Sequence, residues 1–215
     1  MEKLEEELDT YSFNIKFLTF AEKENIKNLY VSWKKVLDNK IFIENLTKEN
    51  IRIFNGKYME KDITTSSTLH FINCNNTTAV ISSKINHITI QNCNNFHIKT
   101  LGGVISGIDS ITSSNLTIII ENEPIYFVDS SDSHYCNFYI SENVVVDTII
   151  MSYCSTGLSI IITKDIIGVI KYKFIPPRSF FDIYRIYMFN VINDNLELYY
   201  FVPNKKDKKI INAEI

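Results

Sequence analysis

An isoleucine returns about every twentieth residue along this chain: Ile81, Ile98, Ile118, Ile140 and Ile160 lie 17, 20, 22 and 20 positions apart. Two places before each stands an apolar or small residue, respectively Ala79, Phe96, Leu116, Phe138 and Leu158. On a β-strand, residues i and i+2 share a face. The same inward-facing pair therefore recurs five times at a nearly fixed period. A period of that length with no helical pattern inside it predicts a stacked solenoid of short strands. Such a fold presents long flat walls, which suit protein binding more than small-molecule chemistry.

The turn residues agree with that reading. Asn73-Cys74-Asn75-Asn76 and Asn92-Cys93-Asn94-Asn95 follow two of the strand patterns. Ser113-Ser114-Asn115, Asp132-Ser133-His134 and Ser152-Tyr153-Cys154-Ser155-Thr156 hold similar places. Asn tolerates left-handed backbone and bonds locally, so it fits tight corners, while Val and Ile fit pleated walls. The expected fold class is all-β: a right-handed parallel β-helix from about residue 40 to about 165.

The ends have other textures. Residues 1–39 are expected to form a short N-terminal helical cap, because Leu4, Leu8 and Tyr11, then Ile26, Leu29, Tyr30, Trp33 and Leu37, are spaced as on helices. Solenoids need such caps. Asn55-Gly56 marks a turn. Past Pro176-Pro177, Ile183–Asn190 and Leu196–Val202 read as a C-terminal β-hairpin joined through Asn193-Asp194-Asn195. The domain division is then 1–39 cap, 40–203 β-helix and 204–215 basic tail, with Asn204–Lys209 a solvated loop.

Composition narrows the function classes. The net charge is −3, which gives no basic footprint for nucleic acid. The start, MEKLEEELD, lacks the apolar core of a signal peptide. The best apolar run, Leu158 to Ile170, is broken by Lys164 and Asp165, so no membrane partner is expected. A cytoplasmic setting follows, in which Cys74, Cys93, Cys136 and Cys154 stay reduced.

Little catalytic chemistry is visible. Cys74 and Cys93 are one rung apart and should stack, and Cys136 and Cys154 have a similar separation. The close-spaced Cys pairs of zinc sites are absent, so these read as buried thiols filling corners, with no metal. His70, His87, His97 and His134 have no ligand spacing; His70 should lie in register with Thr89, with His87 nearby. Asp129 and Asp132 resemble a carboxylate acid–base pair. In a Ser-rich turn, however, Asp more often caps backbone amides. Leu101-Gly102-Gly103-Val104 is a rung connection and not a phosphate loop. No enzyme activity and no cofactor are expected.

The segment Thr68 to Ile98, TLHFINCNNTTAVISSKINHITIQNCNNFHI, resembles the C-terminal β-helix domain of adenylyl cyclase-associated proteins, a family of actin regulators. The matching words are Cys74-Asn75-Asn76-Thr77-Thr78, Lys84-Ile85-Asn86-His87-Ile88-Thr89 and Asn92-Cys93. Lys40–Asn45, Pro124, Cys136–Ser141 and Phe174-Ile175-Pro176-Pro177 extend the likeness. The resemblance implies a wall that docks monomeric actin and speeds ADP release, and a homodimer through the C-terminal strands. On the strand from Lys84 to Gln91, Ile85, Ile88 and Ile90 should point inward. That leaves Lys84, Asn86, Thr89 and Gln91 as the candidate partner-binding residues.

The wider superfamily includes tubulin-folding cofactor C, whose relatives stimulate GTP hydrolysis with an arginine finger. Arg52, Arg178 and Arg185 all lie outside the rungs between 68 and 165, so no finger is expected. A tubulin or small-GTPase partner without that chemistry, or a structural scaffold, is the alternative reading.

Overall fold

The computed structural model describes residues 39–53, 57–58, 61–164, 169–176, 184–192, 195–203 and 209–213. The chain divides into two compact units, Met1–Lys40 and Ile41–Ile215, and all but two of the described residues belong to the second. The helical cap expected at the N-terminus lies outside the described residues, as do Asn55-Gly56 and Asn193-Asp194.

The fold is an all-β solenoid whose strands alternate between two sheets as far as β14, apart from β3 and β4, which pair with each other. In chain order they are β1 (Lys40–Glu44), β2 (Asn50–Ile53), β3 (Lys57–Tyr58), β4 (Lys61–Asp62), β5 (Thr68–Ile72) and β6 (Asn75–Ile81). Then come β7 (Ile85–Gln91), β8 (Asn94–Thr100), β9 (Val104–Ile111), β10 (Ser114–Ile120), β11 (Phe127–Ser131) and β12 (Asn137–Ser141). The last six are β13 (Ile149–Tyr153), β14 (Ser159–Thr163), β15 (Ile170–Phe174), β16 (Arg185–Ile192), β17 (Asn195–Phe201) and β18 (Lys209–Ile211). Sheet A runs β1-β5-β7-β9-β11-β13-β16-β17-β18, and sheet B runs β15-β14-β12-β10-β8-β6-β2. From β5 to β13 and from β2 to β14 the pairing is parallel, and the last strands join antiparallel.

Alternation places one row of side chains per pleat inside. Leu69, Ile88, Ile108, Val128, Ile150 and Tyr187 align across sheet A, each with no exposed surface. Ala79, Ile98, Ile118, Phe138 and Ile160 align across sheet B. Burying each large aliphatic side chain contributes about 1.5–3 kcal/mol, so the two facing columns hold the solenoid together along its length.

That register corrects the repeat read from the sequence. Ile98, Ile118 and Ile160 share a column, but Ile81 and Ile140 sit one inward place further on, beside Thr100, Ile120 and Ile162. The structural equivalents are Ala79 and Phe138. A two-residue slip keeps every side chain on its own face, so periodicity alone cannot detect it.

The corners from sheet A to sheet B follow one rule. The residue after each sheet A strand has left-handed backbone: Asn45, Asn73, Asn92, Thr112, Asp132 and Cys154. Three places later the backbone is left-handed again, at Lys48, Asn76, Asn95, Asn115, Tyr135 and Gly157. This is why small amide residues crowd these turns.

Inside that corner the expected stacking of Cys74 on Cys93 is present and continues as serines. The Cys74 amide donates to Cys93 Sγ at 3.4 Å, the Cys93 amide to Ser113 Oγ at 3.1 Å, and the Ser113 amide to Ser133 Oγ at 3.2 Å. The Ser133 amide closes the ladder on Ser155 Oγ at 3.2 Å. The neighbouring Cys74 side chain, then burial, hold the Cys93 thiol far above its ordinary range, against the Cys74 amide, which lowers it. Cys136 and Cys154 do not stack. Cys136 is buried in the core, with its thiol pushed up to about 11 mainly by burial, while Cys154 holds a left-handed corner place.

At the C-terminal end the expected hairpin forms as β16 and β17 and continues sheet A from β13, with Met151 opposite Ile186 and Ile186 opposite Phe201. Lys209, expected in a loop, instead begins β18, which pairs with β17 through Tyr199 and Ile210.

Candidate functional site

The outer face of sheet A carries the candidate residues, and its side chains fall into rows that cross the strands. One row runs Thr68, His87, Gly107, Phe127 and Ile149. One step beyond the Ile150–Tyr187 pair it reaches Met188, then Tyr199 and Ile210. The next row runs His70, Thr89, Asp109, Asp129, Met151, Ile186 and Phe201. His70 is in register with Thr89 as expected, and its ring stacks on Phe42 at 5.0 Å.

Of the four residues expected to face a partner, two belong to this wall. Thr89 and Gln91 alternate outward from the buried Ile88 and Ile90. Lys84 and Asn86 sit at the corner instead. Lys84 Nζ binds Glu123 Oε2 at 2.8 Å, and that carboxylate holds the ammonium above its ordinary range. Gly103 makes room for this pair, since a Cβ there would lie 2.4 Å from Glu123 Oε2. Asn86 Oδ1 accepts from Ser106 Oγ at 2.7 Å.

The reason for the split is a bulge. The pairing of β7 with β9 shifts between Ile85 and His87, so Ile85 and Ile88 are both buried although three residues apart. His87, which the alternation argument passed over, therefore takes the outward place. Opposite it stands Gly107, whose positive φ of 113° and approach to the Phe127 carbonyl leave no room for a side chain. His87 Nε2 lies 3.0 Å from Asp109 Oδ2.

Asp109 and Asp129 are register partners on neighbouring strands. Asp129 therefore pairs with Asp109 and not with Asp132, which occupies a left-handed corner. Burial raises the Asp129 carboxyl above its usual range; a hydrogen bond from Ser131 Oγ at 3.1 Å opposes the shift and Asp109 adds to it. The two carboxylates lie on a flat wall. A cavity of about 230 Å³ elsewhere in the molecule is lined by Val145, Val146, Ile162, Tyr172, Val191 and Leu196 together with the Lys171–Glu142 pair. It brings together no catalytic set. Among the described residues, no three His, Cys, Asp or Glu side chains converge as metal ligands, and no helix is long and apolar enough to cross a membrane.

The face changes character along the solenoid axis. Its first strands present His70, His87, Thr89, Gln91, Asp109 and Asp129. Its last present Ile149, Met151, Ile186, Met188, Tyr199, Phe201 and Ile210, all partly or fully exposed. The second half had no signal in the sequence beyond the aromatic content of the hairpin strands.

None of the curated proteins is detectably similar to this chain in sequence. The crystal structure of the cyclase-associated protein from Cryptosporidium parvum matches with a TM-score of 0.57 at 16% identity, over 76% of this chain and 90% of that one. At that identity the match establishes the fold. The family described as adenylate cyclase-associated (CAP) C terminal matches residues 31–177. The corner thiols, the bulged β7 and the stacked rungs all lie within that span, and the chain belongs to the family of C-terminal domains of adenylate cyclase-associated proteins.

Proposed function

We propose that this chain is a non-enzymatic, cytoplasmic protein-binding module that docks monomeric actin on the outer face of sheet A and favours release of its bound ADP. The observation that carries the reading is family membership joined to a flat, partly polar wall on which His87, Thr89, Gln91 and Asp109 stand side by side. A binder of this kind works without covalent chemistry. It shifts the actin nucleotide cleft toward an open state only as far as its affinity for the two states differs. A homodimer through the C-terminal strands belongs to the same reading, since β18 is the last strand of sheet A.

The test is release of a fluorescent ADP analogue from monomeric actin over a range of concentrations of this protein. The expected result is faster, saturable release that His87→Glu and Gln91→Glu weaken together. No acceleration and no binding at micromolar levels would overturn the actin reading.

A further inference from the structure

We propose that Cys74 and Cys93 form a thiol–disulfide switch: a hydroperoxide oxidises the two stacked thiols to a bond that ties the end of β5 to the end of β7, and a cellular thiol reopens it. The switch lies at the inner corner and not on the docking wall, so it stands apart from the actin reading.

The register places the two sulfurs together. Ile72 pairs with Gln91 just before the corner and Asn75 with Asn94 just after it, so Cys74 stands directly on Cys93. Neighbouring strands lie about 4.8 Å apart, which is inside the Cα range of disulfides. The Cys74 amide already reaches Cys93 Sγ at 3.4 Å. Disulfides prefer a Cβ separation of about 3.8 Å, so closing the bond must draw the two rungs together. A bond strained in this way is readily reduced, which suits a switch better than a staple.

The corner ladder does not itself ask for sulfur. Ser113, Ser133 and Ser155 accept the same amide through oxygen, at 3.1 Å, 3.2 Å and 3.2 Å. The two sulfurs are also unlike each other. A hydrogen bond to the Cys93 side chain, opposed by burial, holds the Cys74 thiol below its ordinary range, while Cys93 keeps its proton. Cys74 is therefore the attacking sulfur and Cys93 the resolving one.

The Cys74 thiolate attacks one oxygen of hydrogen peroxide and the O–O bond breaks. Cys74 becomes a sulfenic acid, and the second oxygen leaves with a proton as water. Cys93 Sγ then attacks Cys74 Sγ; the S–S bond forms, the S–O bond breaks, and the hydroxide leaves as water with the Cys93 proton. Two thiols have lost two electrons and two protons, and the peroxide has become two waters. Both thiols are buried. Cys74 Sγ lies 3.4 Å from the Ile43 carbonyl of β1, the terminal strand of sheet A. Fraying of that edge strand is the route by which peroxide reaches Cys74, so oxidation is slower than that of an exposed thiol.

Peptide mapping by mass spectrometry tests this. The full chain is treated with hydrogen peroxide at neutral pH, and the remaining thiols are alkylated in denaturant. The expected product has lost two hydrogens, in a crosslink between the Cys74 and Cys93 peptides, and millimolar glutathione reverses it. Cys93→Ser keeps a ladder acceptor, as at Ser113, and should trap Cys74 as a sulfenic acid that dimedone labels. Cys74→Ser should leave Cys93 unlabelled, and Cys154→Ser should leave the crosslink yield unchanged. Four free thiols after treatment of the native chain, or a crosslink that joins another pair, overturns the proposal. A Cys74–Cys93 bond that glutathione does not reduce overturns the switch and leaves a structural staple. None of these outcomes depends on actin, so the two proposals fail separately.

Discussion

The inner corner of the solenoid is built twice, with different materials. In the N-terminal rungs it holds Cys74 and Cys93, and the adjoining inward column of sheet A holds Phe71 and Ile90. In the C-terminal rungs the same corner holds Ser113, Ser133 and Ser155, and the same column holds Ser110, Ser130 and Ser152. The backbone path barely changes. What changes is whether the interior is held by dispersion or by hydrogen bonds. Sheet B compensates in volume: Ala79 stands in the rung where sheet A offers Phe71, and Phe138 in the rung where it offers Ser130. In these two rungs large stands with small, so volume is balanced while the chemistry switches.

The contrast can be broken from either side. Phe71→Ala should cost most, about 3–5 kcal/mol of unfolding free energy in denaturant titrations. Its ring is fully buried and packs 5.0 Å from Phe96, so a cavity would remain. Ser133→Ala should cost about 1–3 kcal/mol although it removes a single oxygen. Ser133 Oγ accepts from the Ser113 amide and donates to the Ser131 carbonyl at 2.9 Å; without it the buried Ser113 amide would lose this acceptor, while the Ser131 carbonyl would keep the Thr112 amide. If Ser133→Ala is neutral, the serine column is filler and the comparison collapses.

A smaller effect tests the corner geometry common to both halves. Asn95→Ala should cost roughly 1–2 kcal/mol, because Ala carries the Cβ strain of left-handed backbone without the local hydrogen bonding by which Asn tolerates it, while Asn95→Gly should lie close to wild type. Asp129→Asn should raise the melting temperature at neutral pH. The folded-state carboxyl is raised, so the charged form is the disfavoured one: stability is greatest below the ordinary carboxylate range and falls as pH rises through the elevated value. The gain from Asn should therefore shrink as the pH is lowered to the acid side of that range. The smallest effect belongs to Ser110→Ala, expected within about half a kcal/mol of wild type. Among the described residues Ser110 Oγ is buried with no hydrogen-bond partner, so nothing is lost with it.

The sequence carried the solenoid, the hairpin and the stacked thiols, because inward isoleucines, amide corners and alternating strands each leave a local trace. It did not carry the register, since Ala79 and Ile81 face the same way and either satisfies the pattern. The wall was legible only in part. Thr89 and Gln91 follow from alternation, whereas His87 depends on a register shift against another strand, where Gly107 stands opposite it. The pairing of Asp109 with Asp129 and the apolar row ending at Ile210 are likewise products of stacking, which joins residues twenty or more positions apart. Ser113, Ser133 and Ser155 read as ordinary turn serines until the ladder shows that each accepts from the rung before it.

The paired left-handed residues of each corner have a consequence for how this scaffold can change. Their spacing is three residues at every one of the six corners, and their hydrogen bonds run from rung to rung, so an inserted residue there would derange its neighbours above and below. The opposite edge obeys no such rule. Its connections span 82–84 and 101–103 in two rungs, but 121–126, 142–148 and 54–67 in others. The solenoid thus has one fixed spine and one editable margin. New segments can be grafted along the margin without disturbing the stack, and a change of partner by insertion would be written on that side.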